Sequence, residues 1–323
     1  MGWFYSLFPF FAAKHNEAML QKRLGPSKLY DNYFMNKDGL WIYTTKWGPK
    51  GTPKGVIFIL HGMGEYIHRY DAAAALLNEE GYLVFGMDHQ GHGRSEGERL
   101  HVEKFTDYVD DVIQLVKTSL DKDPSLKKLP RFLMGHSFGG CVAIYTGLAS
   151  AKADLAWSGM ILSAPALFVD PKVASPVMLK LLGVLSYALP RLALPWEKGA
   201  VALGPLSHDE VVCAHYHSDP LVYHGGMRPR FSAEVIGAIG DAQVRKAEFK
   251  IPYIIIHGSS DFQVPLIGSQ EWHAGTSSTD KTLKIIDGSY HEMLNEVPQY
   301  RDQFVKEMKE WLASHNKPPA VNV

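Results

Sequence analysis

One five-residue pattern, Gly135-His136-Ser137-Phe138-Gly139, gives this chain a candidate nucleophile. The G-x-S-x-G spacing is typical of a nucleophile elbow, a sharp strand-to-helix turn that exposes a serine hydroxyl. Such a turn forces the serine backbone into an unfavourable conformation, so the residues two positions away on either side must lack bulk. Gly135 and Gly139 meet this requirement. Chance supplies the pattern about once in ten chains of this length, so a plain Gly-Ser turn is the alternative.

The residues on both sides of the pattern favour the elbow. Residues 131–134 are a short, mostly apolar stretch entered through Pro130, as expected of a buried parallel strand, and residues 140–145 continue at helical spacing. In this geometry the amide of Phe138, at the start of the helix, points toward the reacting carbonyl. We therefore interpret Ser137 as a nucleophile and Phe138 as a hydrogen-bond donor to an oxyanion.

A serine nucleophile needs a base to take its proton and an acid to hold the base in the correct tautomer. Proteins with an elbow supply these residues in the order Ser, Asp or Glu, His. Asp261 follows a buried strand predicted at 252–256, and His291 follows the next strand, at 283–286. The sequence therefore predicts Asp261 as the acid and His291 as the base.

The chain has 15 histidines, so other candidates must be compared. His61 and His136 lie in turns, which an imidazole more often braces by hydrogen bonding. His257 precedes the proposed acid and is in the wrong order for a base. Asp241 lies in a polar helical stretch, and Asp287 is itself close to the proposed base.

A second amide donor is expected in the loop after the strand predicted at 56–60. That loop reads His61-Gly62-Met63-Gly64-Glu65. Its two glycines let the backbone approach a substrate, and the amide of Met63 is our choice for the second donor.

Alternating strand and helix patterns predict an α/β protein with a mostly parallel central sheet and helices on both faces. The predicted elements are a hairpin at 31–47, strands at 56–60, 82–87, 131–134, 157–163, 252–256 and 283–286, and helices around 71–80, 105–120, 140–145 and 300–313.

The alternation stops after Pro165 and resumes at Pro252. We interpret residues 166–231 as an insertion into a core formed by residues 31–165 and 232–323. An apolar insertion near the carboxyl ends of the strands would lie over the usual ligand crevice of such a sheet, so we expect it to form a lid. A helix simply buried on the core is the alternative.

The N-terminal extension, residues 1–30, is densely aromatic between residues 3 and 11, yet too short to cross a bilayer. Without preceding basic residues it is a poor secretory signal, so we expect an intracellular, cytosolic protein. Aromatic segments favour membrane interfaces, which predicts peripheral membrane association, with packing onto the core as the alternative.

Composition excludes other function classes. A net charge of −1 with scattered basic residues gives no electrostatic basis for binding nucleic acid. The two cysteines, Cys141 and Cys213, form neither a zinc-ligand spacing nor a disulfide framework, so we expect no metal and no cofactor. The oligomeric state is left open.

Taken together, these motifs resemble the monoacylglycerol lipases of the α/β-hydrolase fold, from about residue 31 to the C-terminus. The resemblance rests on residues 61–65 with 69–70, 88–95, 135–139, 218–221, and 280–285 leading to 290–291. It implies the same roles for Ser137, Asp261, His291, Met63 and Phe138. It also implies that Glu65 and Arg69 lie at the polar end of a pocket that receives glycerol, and that the insertion is a membrane-associating cap.

The chain departs from this pattern at two places. The aromatic N-terminal segment has no clear counterpart, and residues 169–195 match in character rather than in letters, which leaves the acyl-chain preference open. We expect hydrolysis of monoacylglycerol esters through an acyl-serine. A lysophospholipase or broad carboxylesterase is one alternative, and a non-catalytic binding protein with a hydrolase fold is another.

Overall fold

The computed structural model describes residues 32–169, 175–193 and 204–319. Within these ranges, eight strands form a single sheet in the order β1-β2-β4-β3-β5-β6-β7-β8. Their bounds are β1 Tyr33–Met35, β2 Trp41–Trp47, β3 Gly55–Leu60, β4 Tyr82–Met87, β5 Arg131–His136, β6 Gly159–Ser163, β7 Tyr253–Gly258 and β8 Lys281–Ile286. The β1–β2 and β2–β4 pairs are antiparallel, and the other pairs are parallel. The predicted α/β architecture is confirmed.

Helices cover both faces of the sheet. The described α-helices are α1 Asp71–Glu79, α2 Phe105–Lys122, α3 Phe138–Ala153, α4 Pro176–Ala188, α5 Glu210–Ser218, α6 Pro229–Arg245, α7 Leu266–Gly275 and α8 Pro298–Ser314. The same part of the chain contains short 3-10 helices at Ile67–Tyr70, Pro124–Lys128, Lys246–Glu248 and Met293–Asn295. The predicted strands and helices are therefore present. Most ends differ from the prediction by a few residues, and α3 continues eight residues beyond the predicted 140–145.

Alternating residues of the central strands pack into two separate hydrophobic clusters. In β3, Val56, Phe58 and Leu60 face a cluster that includes side chains of α2, α3 and α6. Ile57 and Ile59 face the opposite cluster, which includes side chains of α1 and α8. Because successive side chains of a strand point to opposite faces, a continuous apolar run is required where both faces are covered.

The connection from β6 to β7 contains α4, α5 and α6. Pro176 and the Ser175 hydroxyl, which accepts from the Met178 amide, begin α4. Several of its apolar side chains are exposed, among them Val184 at 65% and Tyr187 at 86%. These exposed side chains show that α4 is not simply buried on the core, so that alternative is wrong for α4.

The proposed division into a core and an insertion stays a prediction, and its boundary at residue 231 falls within α6. The aromatic segment at residues 3–11 lies outside the described residues. None of the helices in the described ranges is long and apolar enough to cross a membrane.

Candidate active site

Ser137 lies between β5 and α3 in the strained conformation that an elbow requires. Its backbone has φ 53° and ψ −119°, a region that L-residues rarely occupy. Its amide donates to the Ser163 carbonyl at the end of β6 over 2.9 Å, which holds the turn against the neighbouring strand. The residue is half-buried.

The two glycines of the pattern are required by backbone packing. A Cβ atom on Gly135 would lie 2.4 Å from the Gly139 carbonyl oxygen, and one on Gly139 would lie 2.3 Å from the Leu60 carbonyl oxygen. Backbone atoms cannot yield as a flexible side chain does. The elbow therefore packs tightly against the backbone of α3 and of the end of β3. Any larger residue at position 135 or 139 would displace it.

Asp261 and His291 meet at the carboxyl ends of β7 and β8. Nδ1 of His291 donates to Oδ2 of Asp261 over 2.7 Å, and both residues are buried or nearly so. The other carboxylate oxygen, Oδ1, accepts from the amides of Gln263 at 2.7 Å and Val264 at 2.9 Å. The carboxylate is thus fixed in place, and it orients the imidazole that it contacts.

The pKa values of this pair move in opposite directions. Burial disfavours the Asp261 anion, but His291 and His257 outweigh burial and hold the pKa of Asp261 well below its ordinary value. Burial disfavours the His291 cation, but the Asp261 carboxylate outweighs it and raises the pKa of His291. Asp261 therefore remains ionised, and His291 accepts a proton more readily than an isolated imidazole.

His257 is a second support for Asp261 that the sequence analysis did not recognise. Its Nε2 lies 3.2 Å from Oδ2 of Asp261 and 3.0 Å from the Val264 carbonyl, and its Nδ1 lies 2.8 Å from the Ser269 hydroxyl. The one sequence feature that could have indicated this contact is the spacing of His257 and Asp261, which lie four residues apart on either side of the end of β7.

Of the two histidines predicted to brace turns, His61 holds its loop by hydrogen bonding, whereas His136 is the last residue of β5 and bonds to the neighbouring strand. Nδ1 of His61 donates to the Gly62 carbonyl at 2.7 Å, and its Nε2 accepts from the His89 amide at 2.9 Å. His136 contacts the Ser163 hydroxyl at 3.2 Å, and its ring centre lies 4.6 Å from that of His291. Burial lowers the pKa of His136 to about 3, so this ring is neutral beside the proposed base.

Ser137 and His291 line one cavity of about 170 Å³. Met63 and Phe138 line the same cavity. As the first residue of α3, Phe138 carries an amide without an acceptor inside the helix. The structure thus brings together the predicted nucleophile, base and amide donors, with the acid directly behind the base.

The loop that carries Met63 is held by Glu65. Oε1 of Glu65 accepts from the Gly62 amide at 2.5 Å and from the Tyr70 hydroxyl at 2.7 Å. Gly64 has a φ of +77°, which a side chain would disfavour. These contacts fix the backbone on either side of the Met63 amide.

Glu65 and Arg69, which the resemblance assigns to the polar end of the pocket, form part of a buried ionic cluster. Arg69 Nε donates to Oε2 of Glu65 at 2.7 Å, and an Arg69 terminal nitrogen donates to Oε2 of Glu292 at 2.5 Å. Its guanidinium carbon also lies 4.7 Å from the ring centre of Tyr216, in α5. Glu65 and Glu292 line the cavity. Arg69 is not among its described lining residues.

Glu292 is a further cavity residue, and no motif of the sequence predicts a function for it. Burial raises its pKa although Arg69 favours its anion, whereas Arg69 and the Tyr70 hydroxyl outweigh burial and lower the pKa of Glu65. An acidic residue next to the proposed base was visible in the sequence. Its partner Arg69 is 223 positions away, so nothing local indicated the pairing.

A second cavity, of about 580 Å³, lies between α4 and α6. Phe168 and Ile239 line both cavities. The wall of the second cavity is otherwise largely apolar and includes three glycines of the two helices, Gly183, Gly237 and Gly240. We call this second cavity the α4–α6 groove. Within the described ranges, the structure contains no group of three or more His, Cys, Asp or Glu side chains arranged to hold a metal ion.

Comparison with known proteins agrees with this geometry. Residues 51–298 match the Hydrolase_4 family, serine aminopeptidase S33. The chain belongs to this hydrolase family. The resemblance to monoacylglycerol lipases is confirmed as well, since the monoglyceride lipase of Rattus norvegicus is 34% identical over 281 residues, 87% of this chain and 89% of that protein.

Two further relatives in the family agree. The monoacylglycerol lipase of Mycolicibacterium smegmatis is 32% identical over 285 residues, 88% of this chain and 97% of that protein. The crystal structure of Paleococcus ferrophilus monoacylglycerol lipase matches with a TM-score of 0.71 at 28% identity, covering 85% of this chain and 99% of that one. The α/β-hydrolase fold is thereby confirmed.

Proposed function

We propose that this protein is a serine esterase that hydrolyses monoacylglycerols to a fatty acid and glycerol. The observation that carries the proposal is that Ser137 shares a cavity with a His291 imidazole, which is itself bonded to the Asp261 carboxylate. Family membership and the identity to monoglyceride lipases support the choice of substrate.

In the first step, Oγ of Ser137 attacks the acyl carbonyl carbon while Nε2 of His291 takes the hydroxyl proton. The carbonyl oxygen becomes an oxyanion that accepts hydrogen bonds from the amides of Met63 and Phe138. Each such donor contributes about 10² to 10³ in turnover. Asp261 stays ionised throughout and stabilises the imidazolium.

The tetrahedral intermediate then collapses. The bond between the acyl carbon and the glycerol oxygen breaks, and His291 gives its proton to the departing glycerol. A water molecule, deprotonated by the same imidazole, attacks the acyl-serine, and the fatty acid leaves as Ser137 recovers its proton.

The cavity around Ser137, of about 170 Å³, is too small for a whole monoacylglycerol, because pockets that bind drug-sized ligands measure about 300 to 1,000 Å³. The ester and glycerol therefore bind there, with Glu65 near the glycerol hydroxyls. The acyl chain extends past Phe168 and Ile239 into the α4–α6 groove, whose apolar wall suits a hydrocarbon.

The exposed apolar side chains of α4 support a role in binding a lipid surface. Soluble proteins seldom expose a large contiguous apolar patch without a partner. The members exposed by half or more are Val177, Met178, Leu181, Val184 and Tyr187. Since the α4–α6 groove lies beside this face, contact with a membrane would place the groove near its substrate. The N-terminal aromatic segment is proposed to add to this contact.

A substrate panel tests the proposal. Purified protein should hydrolyse monoacylglycerols with a higher kcat/KM than lysophospholipids or short nitrophenyl esters of matched concentration. A higher kcat/KM for a lysophospholipid would contradict the monoacylglycerol assignment and favour the lysophospholipase alternative. No hydrolysis of any ester would favour the non-catalytic alternative.

A further inference from the structure

Glu292 is a buried carboxylate on the wall of the active-site cavity for which the reaction has no role. It follows the base His291 directly in sequence, and its side chain points to the same ionic cluster as Glu65. Oε2 of Glu292 accepts from Arg69 at 2.5 Å and from the Asn295 amide group at 3.0 Å. Its own backbone amide donates to the Leu206 carbonyl at 2.9 Å, which fixes the residue at the cavity.

The charges of this cluster do not cancel. Glu65 and Glu292 are both bonded to the one guanidinium of Arg69, which does not lose its proton in proteins. Two ionised carboxylates and one guanidinium leave one negative charge, which is present above the pKa of Glu292, a pKa that burial raises. Both carboxylates line the cavity, whereas the described lining does not include Arg69.

The nearby side chains do not offset this charge while His291 is in its neutral, basic form. The nearby His136 ring is uncharged, and the Asp261 carboxylate behind the base adds a further negative charge. In a buried site with little water, such a charge acts on a ligand more strongly than it would at the surface.

We propose that Glu292 makes the leaving-group end of this cavity select against esters whose alcohol carries a negative charge. Neutral polyols such as glycerol bind by hydrogen bonding to the carboxylates. A phosphorylated glycerol would place its phosphate against Glu65 and Glu292 with Arg69 already occupied. This inference rests on the proposed function, because it assigns a specificity determinant to the same site.

The test compares one acyl chain on a neutral and on an anionic alcohol. The kcat/KM values for oleoylglycerol and for oleoylglycerol phosphate are measured with the wild type, E292Q and E292D. We expect the wild type to disfavour the phosphate ester by at least about tenfold, as expected for like charges within a few ångströms in a protein site. E292Q should reduce this discrimination by about tenfold, and the charge-retaining E292D should keep it.

A merely structural role for Glu292 predicts a different result. If Glu292 only positions Arg69, E292Q lowers kcat/KM for both esters by the same factor and their ratio stays constant, which would overturn the inference. Equal use of both esters by the wild type would overturn it as well.

Two further measurements keep the test independent of variant folding and of glyceride recognition. Wild-type esterase activity should be inhibited by glycerol at lower concentrations than by glycerol phosphate; equal inhibition would contradict the inference. A 4-nitrophenyl ester and its carboxylated, anionic counterpart form a second substrate pair. If oleoylglycerol is not hydrolysed but E292Q still changes the ratio for this pair, the proposed function fails while the charge selection stands.

Discussion

Nδ1 of His291 donates to Oδ2 of Asp261 over 2.7 Å, and the same oxygen lies 3.2 Å from Nε2 of His257. Two imidazoles therefore converge on one buried carboxylate. The His257 ring is held by Ser269 and Val264, so it braces the acid, and His291 is left to face the cavity with Ser137.

The first prediction concerns D261N. The neutral amide removes the charge that stabilises the His291 imidazolium and can select the wrong tautomer, so kcat should fall by about 10⁴. Stopped-flow or steady-state hydrolysis of a monoacylglycerol measures the loss. A decrease of less than tenfold would contradict the role of Asp261.

The second prediction is a pH dependence with a defined sign. His291 acts as a base only when neutral, and its pKa is raised above the ordinary 6.5 by Asp261. Activity should therefore be full at high pH and should fall as the pH drops through that raised pKa. D261N removes the charge that raises the pKa of His291 most and leaves burial opposed only by the Glu292 and Glu65 carboxylates, so the acidic limb of the kcat/KM profile should move to lower pH. An unchanged or higher limb would contradict this assignment.

The third prediction concerns the elbow glycines. In G139A, the new Cβ would lie 2.3 Å from the Leu60 carbonyl, so the variant should lose about 1–3 kcal/mol or more in free energy of unfolding. The control is G237A, in α6, where no atom lies within 4 Å of the added Cβ. There the gain in helix propensity should stabilise the protein by up to about 1 kcal/mol. Urea denaturation of both variants measures these changes in the free energy of unfolding. A decrease in G237A as large as that in G139A would contradict the prediction.

The fourth prediction concerns acyl-chain length. A phenylalanine at Gly240 meets no neighbour at its Cβ and projects into the α4–α6 groove, so it should shorten the groove without breaking the fold. We expect G240F to lower kcat/KM for long-chain monoacylglycerols by tenfold or more, which corresponds to losing the burial of about two methylene groups. Activity on short-chain monoacylglycerols should change little. G240A is the matched control and should keep the wild-type profile. A uniform loss across chain lengths in G240F would place the acyl chain elsewhere.

The fifth prediction concerns the exposed face of α4. Replacing Val184 and Tyr187 with aspartate puts charge on the apolar patch, which should reduce co-sedimentation with phospholipid vesicles several-fold. The control is V244D, since Val244 is 82% exposed on α6. Equal binding by the two variants, or no binding by the wild type, would remove the membrane proposal. Removal of residues 1–30 tests the contribution of the N-terminal segment separately.

The sheet and the chain order of the proposed reactive residues could both be predicted from the sequence. Buried parallel strands are continuous apolar runs because both faces are covered, and Ser137 and Asp261 each follow such a run. His291 follows β8, a partly exposed strand at the edge of the sheet. Parallel strands end at the same edge, so residues far apart in the chain could be expected to meet.

Local pattern could not predict the ionic cluster. Arg69 and Glu292 are joined only by the tertiary fold, and an isolated glutamate beside a histidine carries no periodicity or motif. The α4–α6 groove was likewise beyond the sequence, because its volume depends on how two helices pack. The apolar insertion at residues 166–231 predicted either a lid or a helix buried on the core without deciding between them, whereas the exposure of α4 does not fit a helix buried on the core.

The central claim is ester hydrolysis through Ser137. The most direct measurement is hydrolysis of oleoylglycerol by wild type and S137A, together with labelling of both by a fluorophosphonate probe and peptide mass spectrometry. We predict that the wild type releases oleate and carries the probe on Ser137, and that S137A loses about 10⁶ in kcat and is not labelled. Equal labelling of S137A, or oleate release that survives the substitution, would contradict the account.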